Sequence, residues 1–557
     1  MAPSQLHIYE PCTRTCVTLG AIAARDAFKR RSSSTRLLLH RRHIIAKVYI
    51  TVVIIDIVVN TTPPPHNIIH MMDMKLQRPL TVQLQGTTPC TILTTPVNAD
   101  TIRPAVDRAN LHGADSTSAV EISLMPFPDV GLPPGVENVS ALTTLQVDYS
   151  ANYMQAVQLF REPFCRFLAD NHPVDAVVSD SFFTWSADVP RLVFFGSSVF
   201  ARSCNESLLR NSPLETTTTS PEDNDGGRLV SLPGLPHRVE LRQSQMMDPE
   251  DYLWEFFESN NAADQRSFGE VFNSFQELEP NYVEHFRATL GRRAWLVGPV
   301  ALGTMDTAAS GTKGNALPPG DGCLRWLDTK PAGSVVYVSF GTISSFSPAE
   351  LREIARSLVI SGRNFVWVIG GGAAIVDDWM PEGFAELTAD VDNSRGFIIR
   401  GWAPQRHILN HPALGGFITH CGWNSVLEAV SAGVPMVTWP RYADQFFNEK
   451  LVVEVLKVGV SIGAKDYGSS LEAHEVIASE LIARSITTLM GDNQEGDAIR
   501  KKANELGVKA RSAVEKGGSS YGDVGRLMDE LMARRRRRCS VMLGEEVRAE
   551  DGASPVS

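Results

Sequence analysis

The 557-residue chain lacks an apolar run that could cross a membrane. Its best candidate, Ile44–Val59, is interrupted by Lys47 and Asp56 and falls short of the ~20 residues a span requires. No membrane span is expected, and a buried parallel strand is the better reading. Positive charge is also scarce. The 52 Lys and Arg against 63 Asp and Glu give a net charge of −11, which argues against a nucleic-acid partner, because phosphate binding needs a clustered basic surface. The one basic run, Arg534–Arg538, follows the last helical pattern and reads as part of a solvated, disordered tail over 534–557. Cysteine is sparse as well. The eight thiols (12, 16, 90, 165, 204, 323, 421 and 539) form no CxxC pair, and Cys12 and Cys16 have no further ligand at metal-binding spacing. Neither a disulfide framework nor a metal site is expected. Reduced thiols fit a cytoplasmic protein, in which the sequons at Asn60, Asn138 and Asn205 carry no glycan. A dinucleotide fingerprint is missing too. Gly370-Gly371-Gly372 follows a strand-like run, but Ala373-Ala374-Ile375 supply no third glycine, so a nicotinamide cofactor is excluded.

What the chain does have is alternation. At this length two domains are the natural expectation. From residue 44 onward, β-rich runs alternate with helical patterns, the signature of stacked βαβ units in an α/β protein. In the first half the predicted strands are 45–59, 90–95, 119–125, 174–180 and 191–196. The low-complexity stretch 212–227 reads as a surface loop, and 301–321 as a linker. Beyond the linker the pattern restarts. Strands are predicted at 334–340, 364–369, 396–401, 415–419 and 435–439, with helices at 348–361, 424–432 and 445–456 and a helical close over 471–533. The expected division is therefore an extension 1–43, a domain 44–300, the linker, a domain 322–533 and the tail. The extension is rich in Arg and Ser and poor in acids, and reads either as an organelle transit peptide or as an unstructured segment. Two doubly wound domains enclose a cleft, and ligands in such sheets lie beyond the carboxyl ends of the strands.

The stretch from Trp402 to Gln445 carries the chemistry. His420-Cys421-Gly422-Trp423-Asn424-Ser425 follows a strand and opens a helix, whose unpaired N–H groups and dipole suit a phosphate. Gly422 permits close backbone approach, and His420, Asn424 and Ser425 add side-chain donors. Glu428 shares a helix face with Asn424, four residues earlier, and is placed to accept from ribose hydroxyls. Trp402 offers a flat face for a uracil, and Asp444 and Gln445 lie on the same rim for sugar hydroxyls. Each has a plainer reading: Asp444 as a helix N-cap, Trp402 and Trp423 as core aromatics, Glu428 as a solvated helix residue.

Over these 44 positions the chain resembles the signature box of plant secondary-product UDP-glycosyltransferases, and a looser similarity covers about residues 66–533. Arg191–Phe200, Asn273–Pro280 and Leu296–Pro299 are similar to flavonoid- and phenylpropanoid-type members. The resemblance implies a GT-B fold of two facing Rossmann-like domains and an inverting, metal-independent hexosyltransferase. UDP-glucose would be the donor co-substrate, with no cofactor. By position it implies that Trp402 stacks on uracil and that Ala403 and Gln405 bind the base. His420, Asn424 and Ser425 then contact the diphosphate, Glu428 the ribose, and Trp423, Asp444 and Gln445 the sugar. The terminal Gln445 goes with glucose rather than galactose. Phe340-Gly341-Thr342-Ile343-Ser344 resembles a second phosphate turn, with Thr342 the contact.

Attack on the anomeric carbon needs a base, and a histidine oriented by a carboxylate suits the task. The family sets it in a Gly-His-x-x-Pro context; here Pro63-Pro64-Pro65-His66-Asn67-Ile68-Ile69-His70 lacks the glycine. His66 is the assigned base and His70 the reserve. Asp180, ending the predicted strand 174–180, is the assigned partner. The segment Ser186–Val189 is shorter than in the family, a gap expected to open the core and shift Asp180. Two functions follow: an O-glucosyltransferase, monomeric and acting on a small lipophilic acceptor such as a flavonoid or other phenolic, or a catalytically impaired UDP-sugar-binding protein with a damaged acceptor domain.

Overall fold

Short runs of β-branched and aromatic residues, each followed by a helix, dictate the architecture. A computed structural model describes residues 50–53 and 90–551, apart from 113–119, 139–140, 142–148, 172–173, 189, 212–227, 250–253, 303–320, 342–343, 345, 371–378, 389–393, 402 and 469–473. The strands of the first half are β1 (Ile50–Val53), β2 (Cys90–Thr94), β3 (Val120–Leu124), β4 (Ala176–Asp180), β5 (Arg191–Phe195), β8 (Gly269–Phe272) and β9 (Ala294–Leu296). They form a parallel sheet in the order β3-β2-β1-β4-β5-β8-β9. An antiparallel hairpin, β6 (Leu229–Leu232) and β7 (Val239–Arg242), lies apart from it. The second sheet comprises β10 (Val335–Ser339), β11 (Asn364–Ile369), β12 (Gly396–Arg400), β13 (Leu414–Thr419), β14 (Met436–Thr438) and β15 (Gly459–Ser461), in the order β12-β11-β10-β13-β14-β15. Each sheet is covered by helices, so its central strands are apolar on both faces; every residue of β10 is buried.

The helices that matter below are α1 (Val199–Asn211), α2 (Trp254–Arg266), α3 (Pro348–Ser361), α4 (Trp423–Ala432), α5 (Gln445–Lys450), α6 (Ser479–Met490), α7 (Gln494–Val514) and α8 (Ser519–Asp551). Their ends are written in the sequence. Ser347 and Glu350 form a capping box at the start of α3, Pro348 fills its first turn, and Gly362 closes it with φ +66°. Among the described residues no helix is long and apolar enough to cross a membrane.

Three expectations change. The predicted helical close is extended at Ala478, begins with α6 at Ser479, and breaks at 491–493 and 515–518. The basic run is not a solvated tail, because α8 continues to Asp551 and returns to the first sheet. Val524, Leu527 and Leu531 pack there against Val178, Leu192, Val271 and Trp295. Arg535 is only 3% exposed and pairs with Asp175 at 2.8 Å, and Arg538 reaches the same carboxylate at 3.1 Å. A buried carboxylate draws a guanidinium inward, because a buried charge without a partner is costly. Finally, the short link after Trp185 does not expose that side chain, which is buried. Thr184–Asp188 forms a 3₁₀ turn, and Trp185 packs between Phe164 and Phe183 with its indole N–H on the carbonyl of Val157.

Candidate active site

In the second sheet the chain runs outward from β10 through β11 to β12, then crosses to the far side of β10 to lay down β13. The switch point of the sheet lies between β10 and β13, where ligands bind doubly wound folds. The turns leaving these two strands meet there. After β13, Cys421 takes φ +65°, a left-handed conformation that costs a non-glycine residue roughly 1–3 kcal/mol. The turn is held by the Thr419 hydroxyl, which accepts from the Cys421 N–H, and by Asn448, which donates to the Cys421 carbonyl at 3.0 Å. Gly422 then serves as N-cap of α4 without offering a side chain, so the first N–H groups of the helix have no side-chain cap.

His420 stands beside this helix start in a slot made by two glycines. A Cβ on Gly422 would lie 2.4 Å from its Nε2, and one on Gly341, where φ is +73°, would lie 2.8 Å from its Cε1. Burial, with the Arg441 guanidinium nearby, lowers the imidazole's pKa from 6.5 to about 4, so the ring is neutral at physiological pH. Its Nδ1 is buried with no protein hydrogen-bond partner, an arrangement that costs free energy unless a ligand supplies one. Thus a neutral imidazole with an unpartnered ring nitrogen and an uncapped helix N-terminus sit together, and with its proton on that nitrogen the ring donates to an anion bound there.

Gln405 opens the short helix Gln405–Leu409 beyond β12 and ties this helix start to the neighbouring loop. Its Nε2 donates to Glu428 at 2.8 Å and to Ser425 at 3.2 Å, and its Oε1 accepts from the Tyr337 hydroxyl at 3.3 Å. Glu428 and Ser425 are buried, Ala403 is buried just before Gln405, and Asn424 is half-buried in the first turn of α4. The plain reading of Glu428 as a solvated helix residue therefore fails. Ala403, Gln405, His420, Asn424, Ser425 and Glu428 all lie on or beside the carboxyl-end rim. Trp402 and Thr342 lie outside the described residues.

Asp444 sits at the N-cap position of α5, but its side chain makes no cap. Instead the carboxylate accepts from Asn448 at 3.0 Å and from Ser197 of the first half, and burial raises its pKa against those two hydrogen bonds. Gln445 is buried, with its Oε1 accepting from the N–H groups of Arg441 (2.9 Å) and Tyr442 (3.2 Å). Trp423 behaves as a core aromatic. Its indole is 3% exposed and its N–H is spent on the Asn273 carbonyl across the cleft at 2.8 Å, so this position reaches a sugar only through its main chain.

On the facing sheet, β1 runs beside β4, with Val52 opposite Val178. The carboxyl end of β1 therefore borders that of β4, where Asp180 stands and accepts from the Phe182 N–H at 2.9 Å. His66 and His70 lie outside the described residues. Sequence reasoning did not assign Ser197, Asn273, Asn448 or Arg441 to the site. Only Asn448 left a signal, its i, i+4 spacing from Asp444. Arg441 is 2% exposed, pairs with Glu350 at 2.7 Å and lies over the Phe346 ring.

Residues 246–474 match the family model described as UDP-glucoronosyl and UDP-glucosyl transferase. The chain is 38% identical to a scopoletin glucosyltransferase of Nicotiana tabacum over 456 residues, covering 79% of this chain and 91% of that one. It is 38% identical to UDP-glucose flavonoid 3-O-glucosyltransferase 7 of Fragaria ananassa over 461 residues, covering 79% and 90%. A crystal structure of UGT73P12 from Glycyrrhiza uralensis, complexed with glycyrrhetinic acid 3-O-monoglucuronide, superposes with a TM-score of 0.76 at 32% identity, covering 90% of this chain and 99% of that one.

Proposed function

The chain belongs to the UDP-glucosyl and UDP-glucuronosyl transferases, with their GT-B fold, and from that premise we propose how its site performs the reaction. The protein is a UDP-glucose-dependent O-glucosyltransferase acting on a hydroxyl of a small lipophilic acceptor of the phenolic or flavonoid kind. UDP-glucose is a co-substrate, and no cofactor takes part. Trp402 stacks on the uracil while Ala403 and Gln405 hold its edge, and Glu428 accepts from the ribose. The diphosphate lies on the N-terminus of α4, taking hydrogen bonds from His420, Asn424, Ser425 and Thr342. Asp444, Gln445 and the main chain at Trp423 hold the glucose.

His66, oriented by Asp180, removes the proton from the acceptor hydroxyl as its oxygen attacks the anomeric carbon. UDP departs from the opposite face, and the α-linked donor gives a β-glucoside. Charge building on the departing phosphate is met by fixed dipoles at the helix start, which need no reorganisation during the reaction. The observation that carries this reading is the neutral, unpartnered His420 beside an uncapped helix N-terminus, with Gln405 and Glu428 hydrogen-bonded along the same rim. No observation favours an impaired transferase. The packed Trp185 counts against one reason for suspecting it.

The test is an acceptor-panel assay with UDP-glucose and UDP-galactose, read by mass spectrometry. A hexoside from UDP-glucose, lost in His66→Ala with UDP binding retained, is the expected result. Glucoside formation by that variant at the wild-type rate excludes His66 as the base. We place the enzyme in the cytosol as a monomer. The cytosolic placement is supported by free thiols at Cys90, Cys165, Cys204, Cys323 and Cys421; cell fractionation tests the compartment and size-exclusion chromatography the monomer.

A further inference from the structure

Asp180 is fixed by more than its own hydrogen bond. Arg191, the first residue of β5, is fully buried. Its Nη2 donates to the Asp180 carbonyl at 2.7 Å, and its Nε donates to the Ser179 hydroxyl at 2.9 Å. The same guanidinium pairs with Asp264 of α2 at 3.2 Å. The other oxygen of Asp264 accepts from the Ser181 hydroxyl at 2.6 Å. One buried ion pair thus grips the chain on both sides of Asp180: Arg191 holds 179 and 180, and Asp264 holds 181.

The pair is anchored in a larger charge set. Arg202 lies 3.9 Å from Asp264, 3.1 Å from Glu270 and 3.7 Å from Glu206, and Arg292 closes the set on Glu206 and Glu270. Buried ion pairs of this kind rarely stabilise a fold better than apolar packing would, because each ion pays several kcal/mol of desolvation. Their value lies in direction. The Asp180 carboxylate accepts from the N–H of Phe182, so its orientation is coupled to the main chain of 181–182, the segment that Ser181 and Asp264 pin.

We propose that Arg191, Ser181 and Asp264 are positioning residues that hold the Asp180 carboxylate at the angle from which it orients the catalytic base. The proposal rests on the assignment of Asp180 as that orienting group. Slack in the clamp lets the carboxylate swing, and displacement of a catalytic group by ~1 Å is worth up to ~100-fold in rate. It does not touch the donor site on the other sheet.

The full-length Ser181→Ala variant tests this by steady-state kinetics with UDP-glucose and an accepted phenol. The expected result is a kcat about tenfold lower, an unchanged KM for UDP-glucose and unchanged UDP affinity, with kcat restored in Ser181→Thr. Arg191→Lys, which keeps the charge beside Asp264 but cannot reach Ser179 and Asp180 together, should show the same split. On an Asp180→Asn background Ser181→Ala should cost nothing more, because its effect passes through that carboxylate. Wild-type kcat in Ser181→Ala, or a loss that multiplies with that of Asp180→Asn, overturns the positioning role. Wild-type kcat in Asp180→Asn itself overturns the assignment of Asp180, and the clamp's role with it.

Discussion

Replacing Gly422 with alanine disturbs the anion site through a single methyl group. Gly422 has φ −57°, which any residue adopts, so the substitution brings no left-handed strain. Its Cβ would stand 2.4 Å from Nε2 of His420, and ordinary contact begins near 3.4 Å, so the imidazole must retreat by about 1 Å. Gly341 closes in on the same ring, so the retreat also turns it. A hydrogen bond of normal length becomes too long or too bent to count after such a shift. A hydrogen bond to a charged group contributes about 1.5–3 kcal/mol, so UDP should bind roughly ten- to a hundredfold more weakly. Loss of a glycine N-cap adds up to ~1 kcal/mol of destabilisation, which the melting temperature reports separately. Titration calorimetry with UDP measures the affinity. The double variant Gly422→Ala, His420→Ala should bind no more weakly than His420→Ala alone. An unchanged Kd in a folded Gly422→Ala protein, or full additivity of the two losses, would refute the argument that His420 meets the diphosphate.

Glu428→Gln should raise the KM for UDP-glucose by about tenfold with little change in stability, since an amide keeps one acceptor for Gln405 but loses the charge offered to ribose; steady-state kinetics reads it. Glu449 is held near a pKa of about 7, raised by burial from 4.5 against hydrogen bonds from Ser461 and Thr438. Because its folded pKa lies above the unfolded one, its contribution to stability is full below about pH 4.5 and is lost as pH rises through 7. The melting temperature of Glu449→Gln relative to wild type should therefore climb between pH 5 and pH 8, by the equivalent of up to ~3 kcal/mol. Arg535→Ala leaves Asp175 buried with a weakened set of partners and should cost about 3–5 kcal/mol in denaturant unfolding, part of it recovered when Asp175→Ala is added. A loss below 0.5 kcal/mol would mean that this end of α8 is not seated on the sheet.

Much of the second half was legible because its signals are local. A helix start after a strand, Gly422 at the turn, and the four-residue step from Asn424 to Glu428 are fixed by chain geometry, and all recur in the structure. Helix α3 was readable to its ends, since Ser347, Glu350 and Gly362 cap it through short-range hydrogen bonds. Other features were hidden because tertiary contacts decide them. The carboxylate of Asp444 finds Ser197, some 250 residues away, in preference to its own helix N–H groups. Trp423 is claimed by the Asn273 carbonyl. The strands β8 and β9 span only four and three residues, too few for a periodic pattern to show. Arg535 looked solvated because a sequence of five arginines does not say which of them meets a carboxylate.

The return of α8 to the first sheet bears on how the protein is made. The face of β4, β5, β8 and β9 that Val524, Leu527 and Leu531 cover is synthesised more than 200 residues before its covering. At ~5–20 residues per second that interval lasts tens of seconds on the ribosome. During it Trp295, Val271 and Leu192 wait without the α8 side chains that cover them, so a nascent first half should behave as a client for chaperones rather than as a finished module. Expressed alone it should aggregate, and supplying α8 as a separate peptide should rescue it.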